Sequence, residues 1–347
     1  MTDTDDSKPA DPGLGSPLSL DAMTAGVLAG ERAVVARAIT LIESSKPEHR
    51  RLADALLQRL LPHTGKARRI GVTGLPGVGK STFIDQFGLN LIGAGHKVAV
   101  LAIDPTSSRT GGSILGDKTR MTRLAQHERA FIRPSPAGRA LGGVTRATRE
   151  TMLICEAAGF DVVLVETVGV GQSENAVSAM VDFFLVLLLP GTGDDLQGLK
   201  KGLIELADMI AINKADGEMA GRAAATAADY TAALHILTPQ SANWRPPVIQ
   251  ISALNNLGLD VLWDHIERHR AALDASGELA AKRREQAVAW MRDLIEEGLR
   301  LTLRTPALRA KLAGLEQQVL GGAMLPSMAA EEVLALAGIQ KPAAVPD

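Results

Sequence analysis

The sequence has a single cysteine, Cys155, in 347 residues. An intrachain disulfide and a four-cysteine zinc site are therefore excluded. Neither sign of charge is in excess: 37 Lys plus Arg face 39 Asp plus Glu, a net charge of -2. That balance gives no support to bulk electrostatic binding of nucleic acid or of an anionic membrane, and leaves room only for a local patch. Long hydrophobic runs are missing as well. The longest uncharged apolar stretch, residues 183–189, is far too short to span a bilayer. The first sixteen residues, MTDTDDSKPADPGLGS, are acidic and rich in Pro and Gly. They have no apolar core, so they do not read as a signal peptide, and a cytoplasmic protein is expected.

What is present is ordinary globular composition, 46% hydrophobic and 22% charged, in a chain long enough for about two average domains. Pattern divides it. Residues 1–24 read as a disordered tail and 25–66 as an N-terminal helical extension. Within the extension, residues 27–61 read as two helices, with Leu52, Leu56 and Leu60 forming an apolar stripe at i+4. Pro47 suits the first turn of the second, where its missing N–H costs nothing. Residues 67–257 alternate short apolar runs with helical stretches. Strands are expected at 70–73, 98–103, 162–165, 183–189, 209–212 and 248–251. Most are apolar throughout, as strands buried on both faces of a parallel sheet are. The helical stretches 82–93 and 222–234 between them make βαβ units. Residues 258–347 are helical and strand-free by pattern, and are expected to mediate homodimerisation. The fold class expected is α/β: a mainly parallel, doubly wound sheet with helical extensions at both ends.

The strongest motif is Gly74-Leu75-Pro76-Gly77-Val78-Gly79-Lys80-Ser81, a phosphate loop of the form G-x-x-x-x-G-K-[ST]. It follows an apolar strand and opens an amphipathic helix that continues with Thr82. Glycines there let backbone N–H groups close around phosphates, and the helix N-terminus adds a favourable field. Lys80 is expected at the β/γ-phosphates and the Ser81 hydroxyl on Mg²⁺. A second motif, Asn213-Lys214-Ala215-Asp216, ends a later strand. A carboxylate at Asp216 accepts from guanine N1–H and the 2-amino group, a donor pair that adenine lacks. The stem of Lys214 can lie along the base. Ser252-Ala253-Leu254 is expected to be the second base-contacting loop. Together these favour GTP over ATP.

The third motif is Glu166-Thr167-Val168-Gly169. In most GTPases an Asp holds this position in D-x-x-G, supporting the Mg²⁺ shell while the Gly N–H meets the γ-phosphate. Here Glu166 stands in its place, as in the metallochaperone-like subgroup. Asp104 ends the second strand and Asp117 lies in a Gly-rich loop. Each could hold Mg²⁺ directly or through water, move with nucleotide state, or simply be a solvated loop carboxylate.

Four longer segments carry a closer resemblance: residues 71–82, 102–108, 165–174 and 188–200. They resemble the MeaB/ArgK family of P-loop GTPases, and the similarity runs from about residue 25 onward. The resemblance implies a GTPase chaperone of adenosylcobalamin-dependent methylmalonyl-CoA mutase, one that gates cofactor delivery and protects the mutase from inactivation. Nothing in composition or spacing points to cobalamin. Rival readings are a small-molecule kinase, to which a transport-linked arginine kinase label belongs, a nickel or zinc insertase, and a module that holds nucleotide without hydrolysing it. A kinase has no need of Asn213-Lys214-Ala215-Asp216. An insertase carries His-rich or clustered Cys metal stores, whereas this chain has one Cys and seven scattered His.

The position after Gly169 is Val170, where Ras-type enzymes place the Gln that orients water. Valine can neither donate nor accept a hydrogen bond. Slow intrinsic turnover is therefore expected, with acceleration when a client protein orders a loop. The loop of residues 191–200 is the candidate, with Gln197 holding water or partner and Lys200 offsetting developing phosphate charge.

Overall fold

The computed structural model describes residues 18–103, 121–134, 141–167, 172–191, 201–236 and 241–339. Seven strands form one sheet: β1 (Arg68–Gly74), β2 (Val98–Ile103), β3 (Ala130–Arg133), β4 (Val162–Thr167), β5 (Phe183–Leu188), β6 (Met209–Ile212) and β7 (Val248–Gln250). Their order is β3-β2-β4-β1-β5-β6-β7. Every neighbouring pair is parallel, as the runs without polar alternation require. In particular β2 pairs parallel with both β3 and β4, so no Ras-like antiparallel second strand occurs. The expected α/β parallel fold is the one observed.

One strand escaped the sequence reading. β3 is Ala-Phe-Ile-Arg, only four residues long, with Glu128 and Arg129 just before it and Pro134 just after. It forms as an edge strand because β2 offers it a ladder, a tertiary cause that a four-residue pattern cannot signal.

Alternate residues of each strand feed opposite faces. On one face Leu101, Val163, Val165, Phe184, Val186 and Ile210 pack in one apolar cluster, while Val100, Val162, Leu164, Leu185 and Leu187 belong to the other. The first cluster is closed by three N-terminal helices, α1 (Leu20–Leu28), α2 (Arg32–Ile42) and α3 (Pro47–Leu60), through Val27, Val35, Ile39, Leu56 and Leu60. The second is closed by α4 (Lys80–Gly93) through Phe83, Ile84 and Phe87.

The two helices expected over 27–61 are α2 and α3, and α1 is a third that the expectation of a tail over 1–24 leaves out. It begins at Leu20, inside the segment read as tail, with the Ser19 hydroxyl accepting from the Ala22 N–H at 3.2 Å. Short polar capping of this kind carries little apolar signal, which is why it went unseen. Pro47 does occupy the start of its helix.

Helices between strands in the described segments beyond β2 include α5 (Thr122–Ala125), α6 (Leu141–Ala157), α7 (Gln172–Ser178) and α8 (Lys201–Glu205). Cys155 is fully buried on α6, and burial pushes its thiol pKa up, away from the reactive thiolate. The Arg50 guanidinium of α3 grips Glu150 of α6 with two hydrogen bonds at 2.8 and 2.6 Å. That pair fastens the extension to the sheet layer. α9 (Ala220–Ile236) covers the first face through Tyr230, and α10 (Leu259–Ala275) covers the second through Leu259, Leu262 and Ile266.

The chain falls into two units, 1–279 and 280–347. The division comes later than the boundary after residue 257 suggested by pattern, because α10 is part of the sheet's own core. The second unit contains most of α11 (Glu278–Leu303), with α12 (Pro306–Leu320) and α13 (Pro326–Leu336). Leu315 and Ala329 are buried there, and Lys311 pairs with Glu332 at 2.7 Å. Along α11, Val288, Met291, Ile295 and Leu299 are 45–55% exposed, an apolar stripe at helical spacing.

Candidate functional site

β1 and β4 are neighbours, yet the helices that follow them lie on opposite faces of the sheet. α4 packs into one apolar cluster; Val177 of α7 packs into the other. The chain therefore leaves these two strands in opposite directions and opens a crevice at their carboxyl ends, where open α/β sheets take ligands. Residues 74–80 enter that crevice from β1, and Glu166 enters it from β4.

The loop's course depends on two glycines. Gly74 has φ +149°, and a Cβ there would collide with the Leu187 carbonyl oxygen of β5. Gly79 caps α4 with φ +95°, and its Cβ would meet Asn213 Nδ2 at 2.9 Å. Each is a close approach of backbone to a neighbouring element that only glycine allows. Leu75, Pro76 and Gly77 are exposed along the loop, while Val78 is buried beneath it.

Lys80 is 9% exposed, and its ammonium donates to the Gly74 carbonyl at 2.7 Å and the Leu75 carbonyl at 3.3 Å. Burial lowers its pKa, while the nearby Glu166 and Glu174 carboxylates act the other way. Among the described residues its hydrogen bonds go to these loop carbonyls, and a buried cation so held is one that an entering polyanion stabilises. The Ser81 hydroxyl donates to Glu166 Oε1 at 3.3 Å, so these two oxygens converge at the crevice. Beneath them Thr167 and Thr73 share a buried hydroxyl–hydroxyl bond of 2.8 Å. Thr82 is exposed in the first turn of α4.

Asn213 joins three elements. Its N–H donates to the Leu188 carbonyl at 2.8 Å, Nδ2 donates to the Val78 carbonyl at 2.8 Å, and Oδ1 accepts from the Ala253 N–H at 3.0 Å. The side chain is 2% exposed. Asn213 thus ties the phosphate loop to the Ser252-Ala253-Leu254 loop. Lys214 takes a left-handed backbone, φ +61°, and Nζ donates to the Gly77 carbonyl at 3.0 Å. Its stem thereby bridges the two loops. Asp216 stands at the loop's end, partly exposed. Ser252 and Ala253 are buried, whereas Leu254 is 79% exposed.

Asp104, Asp117, Gly169, Val170, Gln197 and Lys200 lie outside the described residues. Two contributors went unnamed in the sequence. Glu174 of α7 is buried and close enough to act on the Lys80 charge, though it stands eight positions beyond Glu166. Asn255 donates from Nδ2 to Asp216 Oδ2 at 2.8 Å. One position past Ser-Ala-Leu, it has no local signal of its own.

Ser81 and Glu166 are hard oxygen donors, which suits Mg²⁺. That ion uses one or two protein oxygens and takes the rest from phosphates and water. Among the described residues no three His, Cys, Asp or Glu converge as an all-protein metal cage.

A strand–phosphate loop–helix unit at the switch point of a parallel sheet, with an Asn-Lys-x-Asp loop fastened beside it, defines the class of P-loop GTPases. A family model described as "Methylmalonyl Co-A mutase-associated GTPase MeaB" matches residues 35–306. The chain belongs to that family. It is 56% identical over 323 residues to a "Putative GTPase" of Caulobacter vibrioides, covering 93% of this chain and 99% of that protein. It is 47% identical over 326 residues to the "Methylmalonic aciduria type A homolog, mitochondrial" of Mus musculus, covering 91% and 79%. A solved structure described as "LAO/AO transport system kinase" matches with a TM-score of 0.74 and 39% identity, covering 93% of this chain and all of that one. No helix of the described residues is long and apolar enough to cross a membrane.

Proposed function

We propose that this protein binds GTP with Mg²⁺ in the crevice between β1 and β4 and hydrolyses it to GDP and phosphate. The observation that carries this reading is the three-way tie made by Asn213. It sets a phosphate loop and a guanine-reading loop at one fixed separation, as one nucleotide spanning both requires. The loop 74–80, with Lys80, would hold the phosphates. Ser81 and Glu166, with Asp104 or Asp117, would hold the metal, and bound Mg²⁺ would offset phosphate charge. Gly169 would donate to the γ-phosphate. Asp216, with Lys214 and the Ser252-Ala253-Leu254 loop, would read the base. A kinase reading taken from the solved relative's description would leave Asp216 without a task. Competition of ATP against GTP separates the two.

The client is a methylmalonyl-CoA mutase that uses adenosylcobalamin, the protein acting in the cytoplasm to gate cofactor delivery and protect the mutase. The family description and the mouse relative support this; no residue of the site speaks to cobalamin. Hydrolysis is slow alone because Val170 cannot orient water, and the mutase supplies order through Gln197 and Lys200. Phosphate release measured with and without mutase tests the proposal. Stimulation should be about tenfold or more, well short of the gain from a full arginine finger. Lys200→Ala and Gln197→Ala should keep the basal rate and lose the stimulation. Full stimulation of both variants would remove this loop from the coupling.

The exposed stripe Val288, Met291, Ile295 and Leu299 supports a homodimer built on the C-terminal unit, since an unpartnered apolar helix face is costly in water. Light scattering should show a dimer for the full chain. A chain ending after Leu279, which keeps α10 and the sheet core, should be a monomer that still binds GTP. A monomeric full chain would end the idea.

A further inference from the structure

We propose that Asn255 is a specificity-determining positioning residue: its side-chain amide holds the Asp216 carboxylate at the angle needed to take two guanine N–H groups together. The inference rests on the guanine-reading role proposed above for Asp216. It begins from the 2.8 Å bond from Asn255 Nδ2 to Asp216 Oδ2.

A carboxylate rotates freely about its last torsion, because that sp³–sp² well is broad. One N–H of a base can follow such rotation. Two parallel N–H groups cannot, since both oxygens must then lie in the plane of the base. Each carboxylate oxygen can accept twice. Asn255 therefore occupies one acceptor position of Oδ2 and leaves Oδ1 and a second position of Oδ2 available. It sets the angle without blocking the ligand.

Asn255 is itself held. Its N–H donates to Ser252 Oγ at 3.2 Å, and Ser252 and Leu257 exchange two backbone hydrogen bonds of 3.0 Å across the loop's neck. The next residue, Asn256, takes a left-handed backbone, φ +54°, and its Oδ1 accepts from Asn90 Nδ2 of α4 at 2.6 Å. Gln86, one turn earlier on α4, donates to Asn90 Oδ1 at 2.9 Å. The loop that aims Asn255 is thus fastened to the helix that starts at the phosphate loop. The Asp216 angle is built into the free protein and need not be assembled when nucleotide enters, which is where preorganisation raises affinity.

Nucleotide binding to the full chain, titrated with GDP and with IDP in Mg²⁺, tests the idea. Inosine keeps N1–H and lacks the 2-amino group. Asn255→Ala should weaken GDP about tenfold, the worth of one charge-assisted hydrogen bond at an exposed site, and IDP by less than about threefold. The preference for GDP over IDP should fall accordingly. Asn255→Asp keeps the shape and replaces the donor with a like charge, so it should weaken GDP more than Asn255→Ala does. Equal losses for GDP and IDP would mean that the loop merely loosened, and would overturn the proposal. So would an Asn255→Asp variant that binds GDP like the parent. Asp216→Asn is run alongside. If it discriminates against GDP while Asn255→Ala does not, the positioning role alone falls. If Asp216→Asn binds like the parent, the base-reading assignment falls and takes the positioning role with it.

Discussion

Lys80→Ala is expected to lower the rate of GTP hydrolysis by on the order of 1,000-fold and to weaken GTP binding, while leaving the free protein at least as resistant to heat as the parent. The two halves of that result come from one geometry. In the free protein the ammonium is buried and satisfied by the Gly74 and Leu75 carbonyls, and its pKa is lowered by burial. A cation in that setting favours losing its proton or gaining an anion. It is held against the preference of the fold, as groups kept for ligand binding often are. Bound phosphate would add negative charge beside it, and the lysine would in turn offset charge on the β/γ-phosphates. Removing it takes away the only cation in the phosphate loop itself, residues 74–81. Thermal melting with and without GTP checks both halves. The variant's midpoint should not fall without nucleotide, and the rise produced by GTP should be small or absent. A variant that hydrolyses GTP at the parent's rate would show that the crevice between β1 and β4 is not the site.

Asp216→Asn is expected to reduce the preference for GTP over xanthosine triphosphate by on the order of a thousandfold, with the fold intact. Two charge-assisted bonds to guanine are lost, each worth about 2 kcal/mol. The amide oxygen of the variant can still accept from N1–H, but its NH2 faces the guanine 2-amino group, a donor against a donor, where xanthine offers a carbonyl at C2 to accept it. Hydrogen-bonding sites discriminate far more steeply than apolar pockets because a mismatched polar group is left unpaired. Asp216 is partly exposed and no strand depends on it, so stability should change little. Competition binding with the two triphosphates gives the ratio directly. A variant that keeps the parent's ratio would move base recognition elsewhere.

Both predictions concern residues that stand out in the sequence, and that is no accident. Gly74 to Ser81 and Asn213 to Asp216 are contiguous, and their backbone demands leave a local trace of glycines and a lysine at fixed offsets. Most of the sheet was legible for a similar reason. Strands buried on both faces must be apolar throughout, so the runs that become β2 and β5 declare themselves. β3 did not, because four residues, one of them Arg133, hold no pattern. In the N-terminal extension the pattern over 27–61 gives α2 and α3, but not α1, which begins on a polar cap inside the segment that reads as tail. Likewise, the helical region at the C-terminus looked uniform by periodicity. Only the fold separates α10, whose Leu259, Leu262 and Ile266 enter the sheet core, from α11, whose Val288 and Met291 face outward.

The sequence by itself determined the class of the fold, the phosphate loop with Lys80 and Ser81, and the choice of a guanine-type loop. Each is set by residues within a few positions of one another, through backbone conformation and burial on two faces. The tertiary structure alone decided how those pieces work as one site. Asn213 reaches Val78 across 135 residues of chain and Ala253 across 40, and Asn255 reaches Asp216 across 39. Hydrogen bonds between groups so far apart in the chain leave no periodicity or spacing behind them. They exist because parallel strands bring their carboxyl ends to one edge, where the buried groups of Asn213, Val78 and Ala253 must satisfy one another out of reach of water.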